Sequence, residues 1–375
     1  LSKEQGYNPY EEKELTMFQK PRQMFRIFSI LILVTGHIFC SSVQKMQEPE
    51  DSRLQKGMAF PTWKADTFCS AASDESLEIL VQATCTEWVQ IVPTWYQSDR
   101  FSNEMLPDYD GNTARMECVR HAIQTSHGLG MKVMLKPHVD SFSGDWRGTF
   151  QPTDPETWFT NYTGMMETFA QISAEENVEI LSIGCEFVDL TTSEFTADWK
   201  GLIRAVRKVY EGPLIYAANW GQESQQVEFW DVLDFIGIDA YYELTDRSDP
   251  TLDELLSAWT PYLLEIESFH QTWQRPIVFT EIGYRSLDGA NMHPWDWGAT
   301  GEVDLREQAL CYQAVIQTFN EKPWFEGIYW WNWEPDPSLG GPTDTGYTPQ
   351  QKPVENILKG WYCRDDVQKK GKIRR

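Results

Sequence analysis

From Gly57 onward, short runs rich in β-branched and aromatic residues alternate with longer segments whose apolar positions recur at helical spacing. That alternation is the pattern of repeated βα units. Eight runs can be counted: GMAFPTW (57–63), WVQIVPTW (88–95), KVMLKPHVD (132–140), EILSIGCEF (179–187), PLIYAANW (213–220), FIGIDAYY (235–242), PIVFTEIGY (276–284) and GIYWWNWE (327–334). The stretches between them are long enough to hold crossover helices, so the runs predict parallel strands. Eight such units predict an α/β fold of the closed (β/α)8 TIM barrel type, a single domain rather than an open doubly wound sheet. No glycine-rich phosphate-binding signature follows any run, which leaves a dinucleotide or P-loop site without support.

Nearly every run starts apolar and ends in polar or aromatic residues, so the chemistry gathers at the C-terminal ends of the strands. Those ends carry Trp63; Trp95, Tyr96 and Gln97; His138 and Asp140; Glu186; Asn219 and Trp220; Asp239, Tyr241 and Tyr242; Glu281 and Tyr284; and Trp330, Trp331, Asn332 and Glu334. In a TIM barrel that face holds the active site. Polarity resuming at a strand end explains Asp140 or Glu334, but it explains poorly a carboxylate inside the apolar runs IGCEF and VFTEIGY.

Retaining hydrolysis of a glycosidic bond needs two carboxyl groups about 5 to 5.5 Å apart, one protonated for the leaving oxygen and one ionised to attack the anomeric carbon. Glu186 and Glu281, ending the fourth and seventh runs, can face each other across the barrel mouth in different surroundings. A nucleophilic Glu281 needs hydrogen-bond donors, which Tyr241 or Tyr284 would supply. The less polar setting Gly184-Cys185-Glu186-Phe187 would raise the pKa of an acid/base.

Composition narrows the ligand. Lys and Arg total 32 against 56 Asp and Glu, a formal charge of -24, so the field repels phosphate backbones and anionic headgroups. No nucleic-acid partner and no stable membrane partner are expected, and a monomer is. The 17 Trp and 15 Tyr suit stacking on the apolar faces of sugars. Trp63, Trp95, Trp220 and Trp331 are candidate platforms, although strand alternation buries at least two of the strand-end tryptophans between barrel and helices and turns Trp330 and Trp331 opposite ways. His138 and Asp140 offer two metal ligands without a second cluster to complete a coordination sphere, so neither a metal nor a cofactor is expected.

Residues 25–35 form an apolar run preceded by Lys20, Arg22 and Arg26 and followed by Cys40, Ser41 and Ser42, a signal-peptide pattern within residues 17–42 that Met17 or Met24 would open. The run is shorter than the ~20 residues that span a bilayer, so secretion is the expectation and membrane anchoring the weaker alternative. The organisation read from the chain is a leader over 1–50, the barrel over 51–363 and a charged tail over 364–375. Of 7 cysteines, six follow the leader, enough in an oxidising compartment for up to three disulfides of undetermined pairing, with Cys185 expected to stay free in the barrel mouth. Asn161-Tyr162-Thr163 is a glycosylation sequon in a eukaryotic secretory pathway.

Across about residues 57–362, VPTWYQ, KPHVD with the following Trp146 and Arg147, IGCEF, AANW, GIDAYY, FTEIGY and the WWNW run resemble the clan of retaining glycosidases whose catalytic glutamates end strands four and seven. The details are most similar to glycoside hydrolase family 113, known for β-1,4-mannanase activity. By that resemblance Glu186 maps to the acid/base and Glu281 to the nucleophile. The broader clan usually has Asn immediately before the acid/base, bonding the sugar 2-OH. Cys185 stands there in this chain, and a thiol is a poor substitute, so His138 becomes the candidate partner of that hydroxyl. The expected substrate-binding set is Trp63, Trp95, His138, Arg147, Asn219, Trp220, Tyr241, Tyr284 and Trp331, with Arg147 either touching substrate or neutralising local acidity. The function so implied is endo-β-1,4-mannanase action on polysaccharide or oligosaccharide by double displacement. Another β-glycanase or exo-glycosidase of the clan, and a catalytically silent carbohydrate-binding barrel, remain as alternatives.

Overall fold

Each of the eight predicted runs supplies one strand of a closed parallel barrel. The structure, a computed structural model, describes residues 54–363; the proposed leader with its signal pattern and the charged tail lie outside the described residues. The strands are Gln55–Pro61 (β1), Trp88–Val92 (β2), Thr94–Gln97 (β3), Lys132–Leu135 (β4), His138–Ser141 (β5), Ile180–Cys185 (β6), Leu214–Asn219 (β7), Phe235–Asp239 (β8), Ile277–Ile282 (β9) and Phe325–Trp330 (β10). Around the barrel the order is β1, β2, β4, β6, β7, β8, β9, β10 and back to β1. Helices Ala71–Thr84 (α1), Met116–Gly128 (α2), Pro155–Glu175 (α3), Thr196–Val206 (α4), Gln222–Gln226 (α5), Leu252–Trp273 (α6), Leu305–Phe319 (α7) and Pro353–Tyr362 (α8) lie in the connections and after β10.

Two runs read as continuous strands are each broken at a proline. Pro93 separates β2 from β3, and Pro137 lies between β4 and β5, because proline has no N–H to continue the ladder. Beyond the breaks the two halves pair with each other, Thr94 with His138 through Gln97 with Ser141, in a small sheet that extends the barrel wall.

The barrel interior changes character along its axis. Met134, Ile180, Ile215, Val278 and Tyr329, one residue from each of five strands, form a buried apolar plug. Gly57 makes room for it, since a Cβ there would lie 2.4 Å from the Tyr329 ring. Further along β2 and β9, the Gln90 amide donates to the Thr280 carbonyl at 2.9 Å, and the fully buried Asp239 and Lys136 follow. Buried polar groups persist only when hydrogen-bonded, so this layer fixes side-chain positions just beneath the C-terminal mouth. Residues of the opposite parity pack outward on the helices. Trp330 is fully buried and stacks on Tyr312 of α7 at 3.7 Å between ring centroids.

Two disulfides join the helical layer, Cys69 to Cys118 and Cys85 to Cys363, while Cys185 and Cys311 are free and buried. The second ties the end of α1 to the end of α8, across 278 residues of sequence. Closing so long a loop removes unfolded-state entropy, and replacing Cys85 and Cys363 together by serine is expected to cost about 2–5 kcal/mol. Urea unfolding with and without reductant measures it; a variant as stable as the parent would mean that α8 docks through its apolar face alone. The sequon falls within α3, where Tyr162 is buried and the Asn161 amide donates to the Asn103 carbonyl at 3.0 Å, so that amide is already engaged. No helix of the described residues is long and apolar enough to cross a membrane.

Candidate active site

The two glutamates owe their aim to a register fault in each of their strands, the fourth and seventh of the barrel. Between Ser182 and Cys185, β6 advances three residues while β7 advances two, from Ile215 to Ala217. Between Phe279 and Glu281, β9 advances two while β8 advances one, from Ile238 to Asp239. Each fault is an extra residue that resets the in/out alternation, as β-bulges do beside functional sites. In β6 it falls at Ile183-Gly184, which both pack outward, Gly184 against Tyr216 and Trp199. In β9 it lets Thr280, bonded to buried Asp239, and Glu281 both turn inward. Glu186 then leaves β6 in the left-handed region, φ 53°, with its N–H on the Ala217 carbonyl at 2.8 Å.

Both glutamates are buried, and a carboxylate oxygen of each lies within 4.8 Å of the Cys185 sulfur, so both approach one thiol. Their surroundings differ in charge. Lys136 Nζ donates to Glu281 Oε1 at 2.6 Å, Tyr241 OH donates to Oε2 at 2.8 Å, and His138 Nε2 stands 3.5 Å from Oε1. Burial alone would raise the Glu281 pKa, but the Lys136 ammonium and the His138 contact outweigh it and hold the carboxyl well below its usual range. Glu186 receives one amide, Asn219 Nδ2 to Oε1 at 2.9 Å, and the Arg147 guanidinium is 3.7 Å from Oε2. Here burial prevails, reinforced by the Glu281 charge and opposed by Arg147, and the Glu186 pKa is raised. One site therefore holds an ionised carboxylate beside a carboxyl that keeps its proton more readily, the division of labour seen when paired carboxyls act as base and acid.

Lys136 and Asp239 are the members to which sequence reading gave no role. Lys136 is fully buried, with Nζ 3.0 Å from both Asp239 oxygens as well as on Glu281. Asp239 also accepts from Thr280 at 2.7 Å and from the Cys185 thiol at 3.3 Å, while Arg147 donates to the Cys185 sulfur at 3.2 Å. Positions 132, 134, 136 and 138 share a parity, so alternation along KVMLKPH was the available signal that Lys136 faces the same way as His138. The atoms of His138, Cys185 and Glu281 lie close enough to share an ion, but the Lys136 and Arg147 cations already supply the positive charge there.

Of the other expected residues, most converge. His138 is buried, its ring stacks on Trp331 at 6.2 Å, and Nδ1 has no hydrogen-bond partner while Nε2 has the long 3.5 Å approach to Glu281. Burial and the Arg147 charge lower its pKa to about 4, so the imidazole is neutral. Trp63 meets Trp331 edge-on at 6.2 Å and donates to Asp140 at 3.4 Å, and Arg147 pairs with the same aspartate. Trp220 packs edge-on against Tyr241 at 5.8 Å. Two expectations are corrected. Trp95 is half-buried against Phe169 of α3, on the same side of its strand as Gln97, which bonds Trp158 of α3. Tyr284 is fully buried against Tyr312 of α7, and of the two tyrosines it is Tyr241 that bonds Glu281. Both lie at strand ends, but on the parity that faces the helices.

The model of Glycoside Hydrolase Family 113 matches residues 58–352. A β-1,4-mannanase of that family, solved as a complex, superposes with a TM-score of 0.74 at 27% identity, covering 83% of this chain and 99% of its own. The β-mannanase from Alicyclobacillus acidocaldarius in complex with ManMIm gives 0.75 at 25% identity, covering 84% and 98%. The β-glucuronidase from Ruminococcus gnavus shares the fold alone, with a TM-score of 0.59 at 12% identity over 82% of this chain and 50% of that one. No curated protein matches the sequence.

Proposed function

We propose, from the premise that this chain belongs to Glycoside Hydrolase Family 113 and is a retaining glycoside hydrolase, that it cleaves β-1,4-mannan internally with Glu186 as acid/base and Glu281 as nucleophile. The observation that carries the reading is the opposed charge setting of two buried carboxyls that both approach Cys185. Glu186 gives its proton to the glycosidic oxygen as Glu281 attacks the anomeric carbon, the C–O bond breaks, and a glycosyl ester forms on Glu281. Glu186, now ionised, takes a proton from water as that water attacks the anomeric carbon, the bond from that carbon to the Glu281 oxygen breaks, and Glu281 is freed as a carboxylate with Glu186 reprotonated.

Neutral His138, held to Glu281 only by a long 3.5 Å contact, is the group proposed to hold the sugar 2-OH, a task the Cys185 thiol, engaged with Asp239 and Arg147, leaves open. Trp63 and Trp331 would form a corner for sugar rings. Asn219 and Arg147 would act on substrate through Glu186, which both approach. Secretion as a monomer belongs to the same proposal, supported by the leader pattern and by two disulfides of the kind that persist in oxidising compartments.

The test is a reducing-sugar assay on mannan and glucan panels, with Glu281→Ala as control. Mannan cleaved, glucan spared and the control inactive is the expected result; retention on polysaccharide without turnover would make the chain a binding protein, and glucan cleavage would move the substrate. The pH profile of kcat/KM should be a bell. Its acid limb follows protonation of Glu281 and its basic limb loss of the Glu186 proton, so Glu186→Ala should remove or displace the basic limb only.

A further inference from the structure

We propose that Glu223, a buried carboxylate with no part in the bond-breaking step, is the positioning residue that aims the Glu186 proton at the leaving oxygen; the proposal rests on the reading of Glu186 as acid/base. Glu223 is 1% exposed and lies in the first turn of the short helix α5, four residues beyond Asn219. Burial of an acid there is costly unless its oxygens are satisfied. Three donors satisfy them. Oε1 accepts from Tyr216 OH at 2.6 Å and from Thr191 OH at 3.0 Å, and Oε2 accepts the Asn219 backbone N–H at 2.5 Å.

Two of those contacts lead back to Glu186 by separate routes. Tyr216 OH, while donating to Glu223, accepts the Phe187 N–H at 2.9 Å, and the Glu186–Phe187 peptide is the one that leaves the acid/base in its left-handed conformation. Asn219, whose backbone N–H is bound to Glu223, presents its side-chain amide to Glu186 Oε1 at 2.9 Å. One carboxylate thus anchors both the backbone just after Glu186 and the amide that fixes its side-chain rotation. Gln226, on the same helix, donates to the Val188 carbonyl at 2.6 Å and clasps the segment further along.

Burial pushes the Glu223 carboxyl pKa up to about 8, opposed by these three hydrogen bonds. The amide of a Glu223→Gln variant has one accepting oxygen where Glu223 uses two, so its NH2 must face one of these donors, breaking one route while keeping the volume. Loss of aim at Glu186 harms the step that needs its proton. The effect should therefore depend on the leaving group: a small misplacement of a catalytic group can cost on the order of 100-fold, while a leaving group that departs as a stable anion needs no proton.

The experiment compares kcat/KM, which reports formation of the glycosyl-enzyme, on aryl β-manno-oligosaccharides bearing either a phenol or a 2,4-dinitrophenol leaving group. Glu223→Gln is expected to lose about 10- to 100-fold on the phenyl substrate and less than about 3-fold on the dinitrophenyl one. Tyr216→Phe, which cuts only the backbone route, is expected to show the same asymmetry at smaller size and keeps the test available if Glu223→Gln does not fold. Equal losses on both substrates, or none on either, would overturn the proposal. Glu186→Ala is run alongside. If it too lacks the asymmetry, the acid/base reading has failed; if it has the asymmetry and Glu223→Gln does not, only the positioning role has.

Discussion

Glu281→Ala is expected to lower kcat on every glycoside by on the order of 10,000-fold, whatever the leaving group, because without the carboxylate no glycosyl ester forms. The fold should survive. Lys136, which loses Glu281, keeps both oxygens of Asp239 at 3.0 Å, so its buried charge is still compensated. The truncation leaves a space next to the Lys136 ammonium. A small anionic nucleophile such as azide fits that description in size and charge, and should enter from the face Glu281 occupied. Azide is therefore expected to restore turnover of a dinitrophenyl β-glycoside and to yield a glycosyl azide of α configuration, read by NMR of the product. A β-configured azide would assign Glu281 to the acid/base face and exchange the two roles; wild-type turnover in the variant would remove it from the chemistry altogether.

The distinction between the two glutamates was partly legible in the sequence. A carboxylate inside an apolar strand run is costly unless something charged or polar awaits it, and that cost marked Glu186 and Glu281 before any partner was known. The identity of the partners was not legible, because they come from other strands and meet only when the barrel closes. Lys136 lies 145 residues from Glu281 in the chain. In KVMLKPHVD it reads as a strand-end cation, and only strict alternation with His138 hints that it points inward.

Alternation also separates Trp95 and Tyr284 from the mouth of the barrel. Trp95 and Tyr284 share the strand ends with residues that face the barrel mouth but fall on the helix-facing parity, and composition at a strand end does not encode parity. Trp330 and Trp331 could be separated because they are adjacent, so one had to face inward. The bulges are a harder case. Gly184 is the kind of residue that marks a bulge in β6, yet β9 has no such marker at Phe279-Thr280-Glu281, where the extra residue is stabilised by the Asp239–Thr280 and Gln90–Thr280 hydrogen bonds. Strands, order and barrel are local patterns repeated eight times. The aim of each carboxylate depends on a one-residue shift that only the neighbouring strands determine.

Lys136→Met is the second substitution expected to have a large effect, and it acts through charge. The methionine fills similar volume but leaves Asp239 and Glu281 buried without their shared ammonium, and breaking a buried ion pair by removing one partner costs about 3–5 kcal/mol. The pKa consequence has a definite sign. Burial raises the Glu281 pKa and Lys136 is the foremost influence holding it down, so in the variant the carboxyl protonates at higher pH and the acid limb of kcat/KM moves upward. At neutral pH the loss should reach about 100-fold, and it should shrink as pH rises. Stability follows the same linkage: a depressed folded-state pKa contributes stability above the unfolded value and loses it as pH falls through the folded one. The stability gap between parent and variant is therefore widest at neutral pH and narrows in acid, where the variant's unpaired carboxylates are neutralised. Lys136→Met combined with Asp239→Asn removes one of the two stranded carboxylates and should regain much of the lost stability in urea unfolding. It should not regain activity, since Glu281 still lacks its ammonium. An acid limb unmoved in both variants would mean that Tyr241 and His138 suffice to keep the nucleophile ionised, and that the buried lysine serves the fold rather than the reaction.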